Sequence, residues 1–438
     1  MTNYKTIGFA LLLLSGATAC STEVLNPGAV KDSSLVGELG RGGTPAIVTG
    51  AGRALGSGIN WIGYTGAAVA REIHPAGSTG SFGITNRWQN GELNPDDADL
   101  DTHWEQASRA RWMAEEAVRR LEEIGPPNNS PVQTLAQYRN LLQLAYLYAA
   151  YANRVLGENA CDCVIDGGAL QTGPAIYFQR AESLFTKALG VPAGTAATKA
   201  RQDTIAYAGR ASVRVQRGNW AGAIADAQLV AIGFVFNMPY FNVGDDAQRN
   251  RIFWSSGNTR ESGSAYRAHT QWNTWIYAYR TATNDPRVPV TVTTLQGDAA
   301  IDCCGRVAWY PQAKHTASIS PIRLNSGREM LLIRAEERLV AGDQAGGTAF
   351  INQVRANVGM AAIAPTDLTD AWRLLKRERG IELWLEARRL GDLRRWATAG
   401  TPGALDPLET VGTASHLVRQ DLCFPVSRGE RDTNPNIP

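Results

Sequence analysis

Residues 376–396, KRERGIELWLEARRLGDLRRW, constrain the fold more than any other stretch, because eleven charged side chains there share a segment with an apolar stripe at helical spacing. Leu374, Ile381, Trp384 and Leu385 form that stripe. Glu378 and Arg388 fall on the same side, seven residues from Leu385 and Ile381, so both charges are expected to be partly buried and to need partners. Glu382, Glu386 and Arg389 flank the stripe at spacings where opposite charges support a helix modestly. Gly380 costs such a helix about 1 kcal/mol relative to Ala, and Gly391 is expected to end it.

The order of these residues resembles a closing helix pattern, E-R-x-x-E-L-x-x-E-G-x-R-x-x-D-L-x-R-W, of the SusD/RagB family of outer-membrane nutrient-binding lipoproteins. Glu378, Arg379, Glu382, Leu383, Glu386, Arg389, Asp392, Leu393, Arg395 and Trp396 carry the match. Ala387 stands where the family prefers Gly, and Gly391 where it usually has an aromatic residue. Three further landmarks follow the same order as in the family. Asn284-Asp285-Pro286-Arg287 is similar to its D-x-R element, Arg328 to Val354 and Arg355 to its R-A-E…G-D…I-N-x-V-R segment, and residues 422–436 to its closing L-x-P…E…N-P-N.

The resemblance implies a mainly α fold, one large domain of degenerate tetratricopeptide-like hairpins with a loop-rich, aromatic-rich insertion. The boundaries expected are a signal peptide over 1–19, a lipidated cysteine and tether over 20–40, a helical scaffold over 41–232, the insertion over 233–325, and a closing helical part over 326–438. Lys5, the apolar run Ile7 to Leu14 and Ala17-Thr18-Ala19-Cys20 resemble a lipoprotein leader, with lipid attached to Cys20 as the only membrane anchor. Within the scaffold, Leu135 to Leu156 reads as a core helix. GNWAGAIADAQ, residues 218–228, reads as the turn and second helix of a hairpin, with Gly218 permitting the turn and Ala223 and Ala227 permitting close approach. Val288 to Thr294 reads as a short β-like run.

Five cysteines follow Cys20. Export favours disulfides, and bridges joining Cys161 and Cys163 to Cys303 and Cys304 are one economical arrangement, with Cys423 left over as a small buried residue. Spacing alone leaves the pairing open, with a four-thiolate zinc site as the rival. Asp97, Asp99 and Asp101 imitate the start of a calcium loop, but Thr102 and Ser108 stand where that loop needs Gly and Glu, so helix capping accounts for them better.

A net charge of +2 gives no basic field suited to nucleic acid. No metal-protease, nucleophile-elbow or phosphate-loop motif occurs, and five scattered histidines form no metal pattern, so neither an enzyme nor a cofactor or metal is expected. A glycosidase needs only two carboxylates across a cleft, which keeps a surface glycan-degrading enzyme as the alternative. A helical assembly scaffold without a small ligand is a weaker third reading.

Twelve tryptophans are many for this length, and the insertion gathers Trp254, Tyr266, Trp272, Trp275, Tyr277, Tyr279, Trp309 and Tyr310. Aromatic faces suit the apolar faces of sugars, with Arg267, Asn273 and Arg280 available for hydroxyls, although most such rings are expected to pack the insertion onto the helices. Because the family's ligand surface draws on this insertion and on the loop after the first helices, Trp88, Asn90, Trp272, Trp275 and Trp309 are the expected ligand residues. The resemblance also implies a cell-surface, outer-membrane lipoprotein that captures oligosaccharide, or peptide, for a SusC-like TonB-dependent transporter.

Overall fold

The computed structural model describes residues 40–242, 248–256, 266–412 and 416–437. The leader, Cys20 and the tether lie outside the described residues. The described chain is mainly helical, with little sheet. Thr44–Val69 (α1), Asp99–Ile124 (α3) and Leu135–Asn159 (α4) pack together, and the short Asn86–Gln89 (α2) lies between the first two. Ala175–Gly190 (α5), Ala196–Gln216 (α6) and Trp220–Ala227 (α7) continue the stack, each helix against the one before it. Gly327–Val340 (α10) and Gln344–Asn357 (α11) form a second hairpin, closed by Leu368–Glu382 (α12), while Arg389–Ala399 (α13) reaches back to α4.

Both expected hairpin turns are built as their residues require. At the α6–α7 turn Gly218 takes φ 69°, and the Asn219 side chain caps α7 by accepting from the Gly222 N–H at 3.0 Å. At the α10–α11 turn Gly342 takes φ 79°, and Asp343 caps through the Gly346 N–H at 2.8 Å. Ala223 and Ala227 are buried beside Ala208, Ala211 and Met330, where their small side chains let α6, α7 and α10 approach closely. The long apolar helix α4 is core, with a capping box formed by Thr134 and Gln137.

The insertion contributes two short helices, Arg251–Ser256 (α8) and Trp275–Thr283 (α9). Its strands pair with distant segments. His74–Pro75 (β1) runs antiparallel to His269–Thr270 (β3), and Val235–Met238 (β2) to Ile322–Ser326 (β4). Val288 to Thr294 makes no strand, only an isolated bridge from Val290 to Gln312.

The 376–396 stretch is two helices, not one. α12 ends at Glu382, Leu385 and Ala387 take φ 59° and 61°, and α13 begins at Arg389, so Gly391 lies inside the second helix and ends nothing. The left-handed residues cost about 1 kcal/mol or more each, and side chains from elsewhere hold the break. The Leu385 N–H donates to Glu72 Oε1 at 3.1 Å, and Lys314 Nζ donates to the Trp384 carbonyl. The two glycines answer to close packing. A Cβ on Gly380 would lie 2.8 Å from the Trp275 ring, and one on Gly391 would lie 3.0 Å from Glu158 Cβ.

Most of the charges of this stretch are buried and paired over long sequence distances, which goes well beyond the modest within-helix pairing expected of them. Glu378 binds Arg287 at 2.8 Å and also Arg355. Arg287 in turn grips Asp285 at 2.7 Å, so three of the landmarks meet at one carboxylate. Glu382 accepts from Arg323 at 3.0 Å and Arg328 at 2.8 Å, and Glu386 from Lys314 at 2.6 Å. Arg388 bridges Glu158 at 3.0 Å and Glu329 at 2.8 Å, while Arg379 binds Asp392 at 2.9 Å. Glu336, from the R-A-E segment, accepts from Arg395 and from Trp396 Nε1 at 2.7 Å. Burial pushes the Asp392 carboxyl up, but Arg379 and Arg395 outweigh it and hold it below the usual carboxylate range.

Candidate ligand-binding surface

The insertion reaches the surface around the N-terminus of α9. Thr274 caps this helix through the Tyr277 N–H at 3.2 Å. One hydroxyl ties two segments together there, since Thr270 Oγ1 accepts from the Trp272 N–H at 3.0 Å and the Tyr310 N–H at 2.8 Å. The Gln271 N–H adds a bond to the Tyr310 carbonyl at 2.8 Å. As a result Trp272, Tyr277 and Tyr310 are held half-buried in one neighbourhood, with the two tyrosine rings 4.9 Å apart and tilted by 35°. Trp272 stands edge-on to His74, centroids 5.1 Å apart.

Of the expected ligand residues, Trp272 is half-buried. Asn90 is half-buried as well, at the far end of the 86–91 segment, where its carbonyl accepts from the Val418 N–H at 3.0 Å. Trp88, Trp275 and Trp309 are buried, which corrects their reading as ligand-facing rings. Trp88 packs against His103 with centroids 4.9 Å apart, Trp275 lies over Gly380 beneath the Arg389 guanidinium, and Trp309 donates its indole N–H to the His269 carbonyl at 3.1 Å. Burying a whole tryptophan removes far more apolar area from water than a half-exposed platform does, so these three serve packing, Trp88 between α2 and α3 and Trp275 and Trp309 within and beneath the insertion. Tyr277 and Tyr310 take their place at the surface. Both belong to the aromatic concentration in the insertion, and alternation along the chain gave no means of telling them from their buried neighbours.

Of the polar groups available for hydroxyls, Asn273 takes φ 54° and its carbonyl accepts from Arg71 Nη2 at 3.3 Å. Arg280 binds Asn284 through Nη1, and the Arg267 N–H donates to Asp298 at 3.1 Å. Under this surface Arg71 is fully buried at φ 61°, with Nε and Nη1 lacking a hydrogen-bond partner among the described residues. Burial brings its pKa down to about 9, and burial together with Arg71 and His416 holds His74 well below the usual imidazole range.

A second aromatic group surrounds Arg251, whose guanidinium stacks 3.5 Å from the Trp61 ring centre while donating to the Phe82 carbonyl at 2.8 Å. Tyr266, 36% exposed, packs edge-on against Phe82 at 5.2 Å. A larger cleft of about 700 Å³ lies apart from the insertion, between α5, α6, α10 and α13, lined by Phe178, Val215, Trp220, Leu339 and Trp372 among others.

The cysteines pair differently from the arrangement expected. Cys161 bonds Cys423, Cys303 bonds its neighbour Cys304, and Cys163 is a buried free thiol. The closing segment runs beside the end of α4, with an Ala160–Phe424 bridge and the Cys161 N–H donating to the Phe424 carbonyl at 2.8 Å, and this brings Cys423 to Cys161. The acidic run at α3 acts on the backbone and neighbouring segments. Asp97 accepts from the Asp99 N–H at 3.1 Å and Thr85 Oγ1 at 3.0 Å, and Asp101 from the Gly429 N–H at 2.8 Å. Among the described residues no group of three or more His, Cys, Asp or Glu is placed to hold a metal ion, and no helix is long and apolar enough to cross a membrane.

The model of the SusD family matches residues 235–437, and the fold over nearly the whole described chain is that of SusD-like structures, so the chain has the SusD fold and its C-terminal part resembles the SusD family in sequence. A SusD superfamily protein from Parabacteroides distasonis superposes with a TM-score of 0.65 at 11% identity, covering 91% of this chain and 98% of that one. One from Bacteroides vulgatus gives 0.58 at 16% identity, with 89% and 98% covered. A laminarin-binding SusD-like protein gives 0.54 at 14% identity, with 90% and 98% covered. No curated protein matches the sequence.

Proposed function

We propose that this chain is a glycan-binding lipoprotein of the outer membrane that hands oligosaccharide to a SusC-like TonB-dependent transporter. The observation that carries the reading is the half-buried set Trp272, Tyr277 and Tyr310, whose N–H groups donate to the Thr270 hydroxyl for Trp272 and Tyr310 and to the Thr274 hydroxyl for Tyr277, with Asn273 following Trp272 in the chain. Rings held this way offer a rigid apolar face for the C–H side of a sugar at little entropic cost on binding. Support comes from structural neighbours whose names describe laminarin binding and carbohydrate binding. Cys20 is the proposed lipid attachment site, and residues 41–438 act as one unit. Peptide is the second ligand class within this reading. The work of transport falls to the partner, and the role assigned to this chain is capture without turnover.

The delivery step is tested by pulling the lipidated protein from detergent-solubilised outer membrane and identifying partners by mass spectrometry. A stoichiometric TonB-dependent barrel is the expected result. Recovery of the chain alone overturns the delivery role, and turnover of a bound glycan by the purified protein overturns capture as a complete account.

A further inference from the structure

We propose a second saccharide-binding cleft, remote in sequence from the insertion, between α3 and the short C-terminal helix Arg428–Thr433 (α14). Its floor is one face of α3, where Asp101, Trp104, Glu105, Ser108 and Trp112 recur at helical spacing. The opposite walls are the 164–167 loop and residues 427–433, and the enclosed volume is about 520 Å³, within the range of small-molecule sites.

Three features point to a polyhydroxylated ligand. Trp112 is 54% exposed at the edge of the cleft, so an indole face is available for stacking where most of the chain's tryptophans are buried or half-buried. Trp104 and Arg111, both lining the cleft and at least nine-tenths buried, leave Trp104 Nε1 and Arg111 Nε without a hydrogen-bond partner, as does the Ser108 hydroxyl. Buried donors without partners make the floor polar, while the groups a ligand meets directly are the exposed Glu105, Arg109 and Trp112. The charge balance excludes an anion. Asp101, Glu105, Asp166 and Glu430 line the cleft against Arg109 and Arg111, and Arg111 is already engaged by Glu115 and Asp166 at 2.7 Å each.

The walls are preorganised. The Gly429 N–H is fixed on Asp101 at 2.8 Å, and Asn434 and Asn436 donate to the Gly168 and Gly167 carbonyls at 3.0 and 2.8 Å, so the C-terminal segment clamps the loop. A neutral hexose or short neutral oligosaccharide fits this lining. The ligand class rests on the glycan-binding reading above, while the cleft and its unpartnered donors do not.

The test is calorimetric titration of the full chain with laminarihexaose, maltohexaose, xylohexaose and mannohexaose, using wild type, Trp112→Ala and Trp272→Ala, with thermal melts of each. Trp112 is exposed, so Trp112→Ala should melt as wild type does, and the melt of Trp272→Ala, whose ring packs against His74, checks that it remains folded. Wild type should bind one of these glycans at two sites, with Trp112→Ala removing one or weakening it at least tenfold and Trp272→Ala doing the same to the other. Binding unchanged in Trp112→Ala but lost in Trp272→Ala overturns the cleft alone. Absence of binding to every probe by wild type overturns the glycan reading and the cleft with it.

Discussion

Replacing Glu378 by Ala removes the carboxylate at which three landmarks of the sequence meet. Glu378 is fully buried, and its partners Arg287 and Arg355 have side chains only 4% and 6% exposed. Arg287 retains Asp285 at 2.7 Å, but Arg355 keeps only the Ala361 carbonyl at 2.6 Å and Tyr279 Oη at 3.4 Å, neither of them charged. Removing one member of a buried ion pair costs about 3–5 kcal/mol, because the remaining charge stays desolvated. The matched control is Arg373→Ala, which breaks the Asp370 pair at 2.6 Å on the surface of the same helix, with Arg373 45% exposed. An exposed pair contributes about 0.2–1 kcal/mol and is screened by salt. Urea unfolding of both variants at 0.1 and 1 M NaCl, compared at equal slope, should therefore show a loss at least threefold larger for Glu378→Ala that persists in high salt. Equal, salt-sensitive losses would refute the argument and return the stretch to a solvated charged surface.

Other expectations rest on the same structure. Gly380→Ala, which ordinarily gains about 0.5–1 kcal/mol in a helix, should destabilise the chain in thermal melts, since the new Cβ meets the Trp275 ring and Arg389 at 2.8 Å. His103, His269 and His315 are held near 3 chiefly by burial, so they stay neutral when folded and take protons when unfolded. Their contribution is whole above pH 6.5 and lost as pH falls from there towards 3, about 2 kcal/mol each at pH 5, which denaturant titrations across that window will measure. Cys423→Ser opens a bridge spanning 262 residues and should cost about 2–5 kcal/mol in urea unfolding, whereas Cys303→Ser, whose bridge closes no intervening loop, should leave the midpoint nearly unchanged.

The helical architecture was legible because hairpin turns are local. Gly218 with Asn219, and Gly342 with Asp343, carry their turn geometry in adjacent residues. Burial of Glu378 and Arg388 was also legible, from their place on an apolar stripe. The break at 383–388 was not, because Leu385 and Ala387 have side chains that disfavour the left-handed region, and the groups stabilising it, Glu72 and Lys314, lie far away in sequence. The surface set suffered from the same limit. Trp275 and Trp309 differ from Tyr277 and Tyr310 by one or two positions, and only tertiary contacts, Trp275 on Gly380 and the Trp309 indole on the His269 carbonyl, decide which rings are covered. The Cys161–Cys423 pairing depends on a parallel contact between segments at opposite ends of the chain, which spacing does not reveal.

The most direct measurement of the account is glycan affinity electrophoresis of the purified chain against laminarin and other neutral glycans, comparing wild type with Trp272→Ala, Tyr310→Ala and the exposed control Val292→Ala. The account predicts retardation of wild type and Val292→Ala by at least one glycan, with retardation by that glycan reduced in Trp272→Ala and Tyr310→Ala to what the cleft on α3 alone supports, while all four proteins remain folded in thermal melts. Equal retardation of all four would place the ligand elsewhere, and migration unaffected by every glycan would contradict glycan capture by this chain.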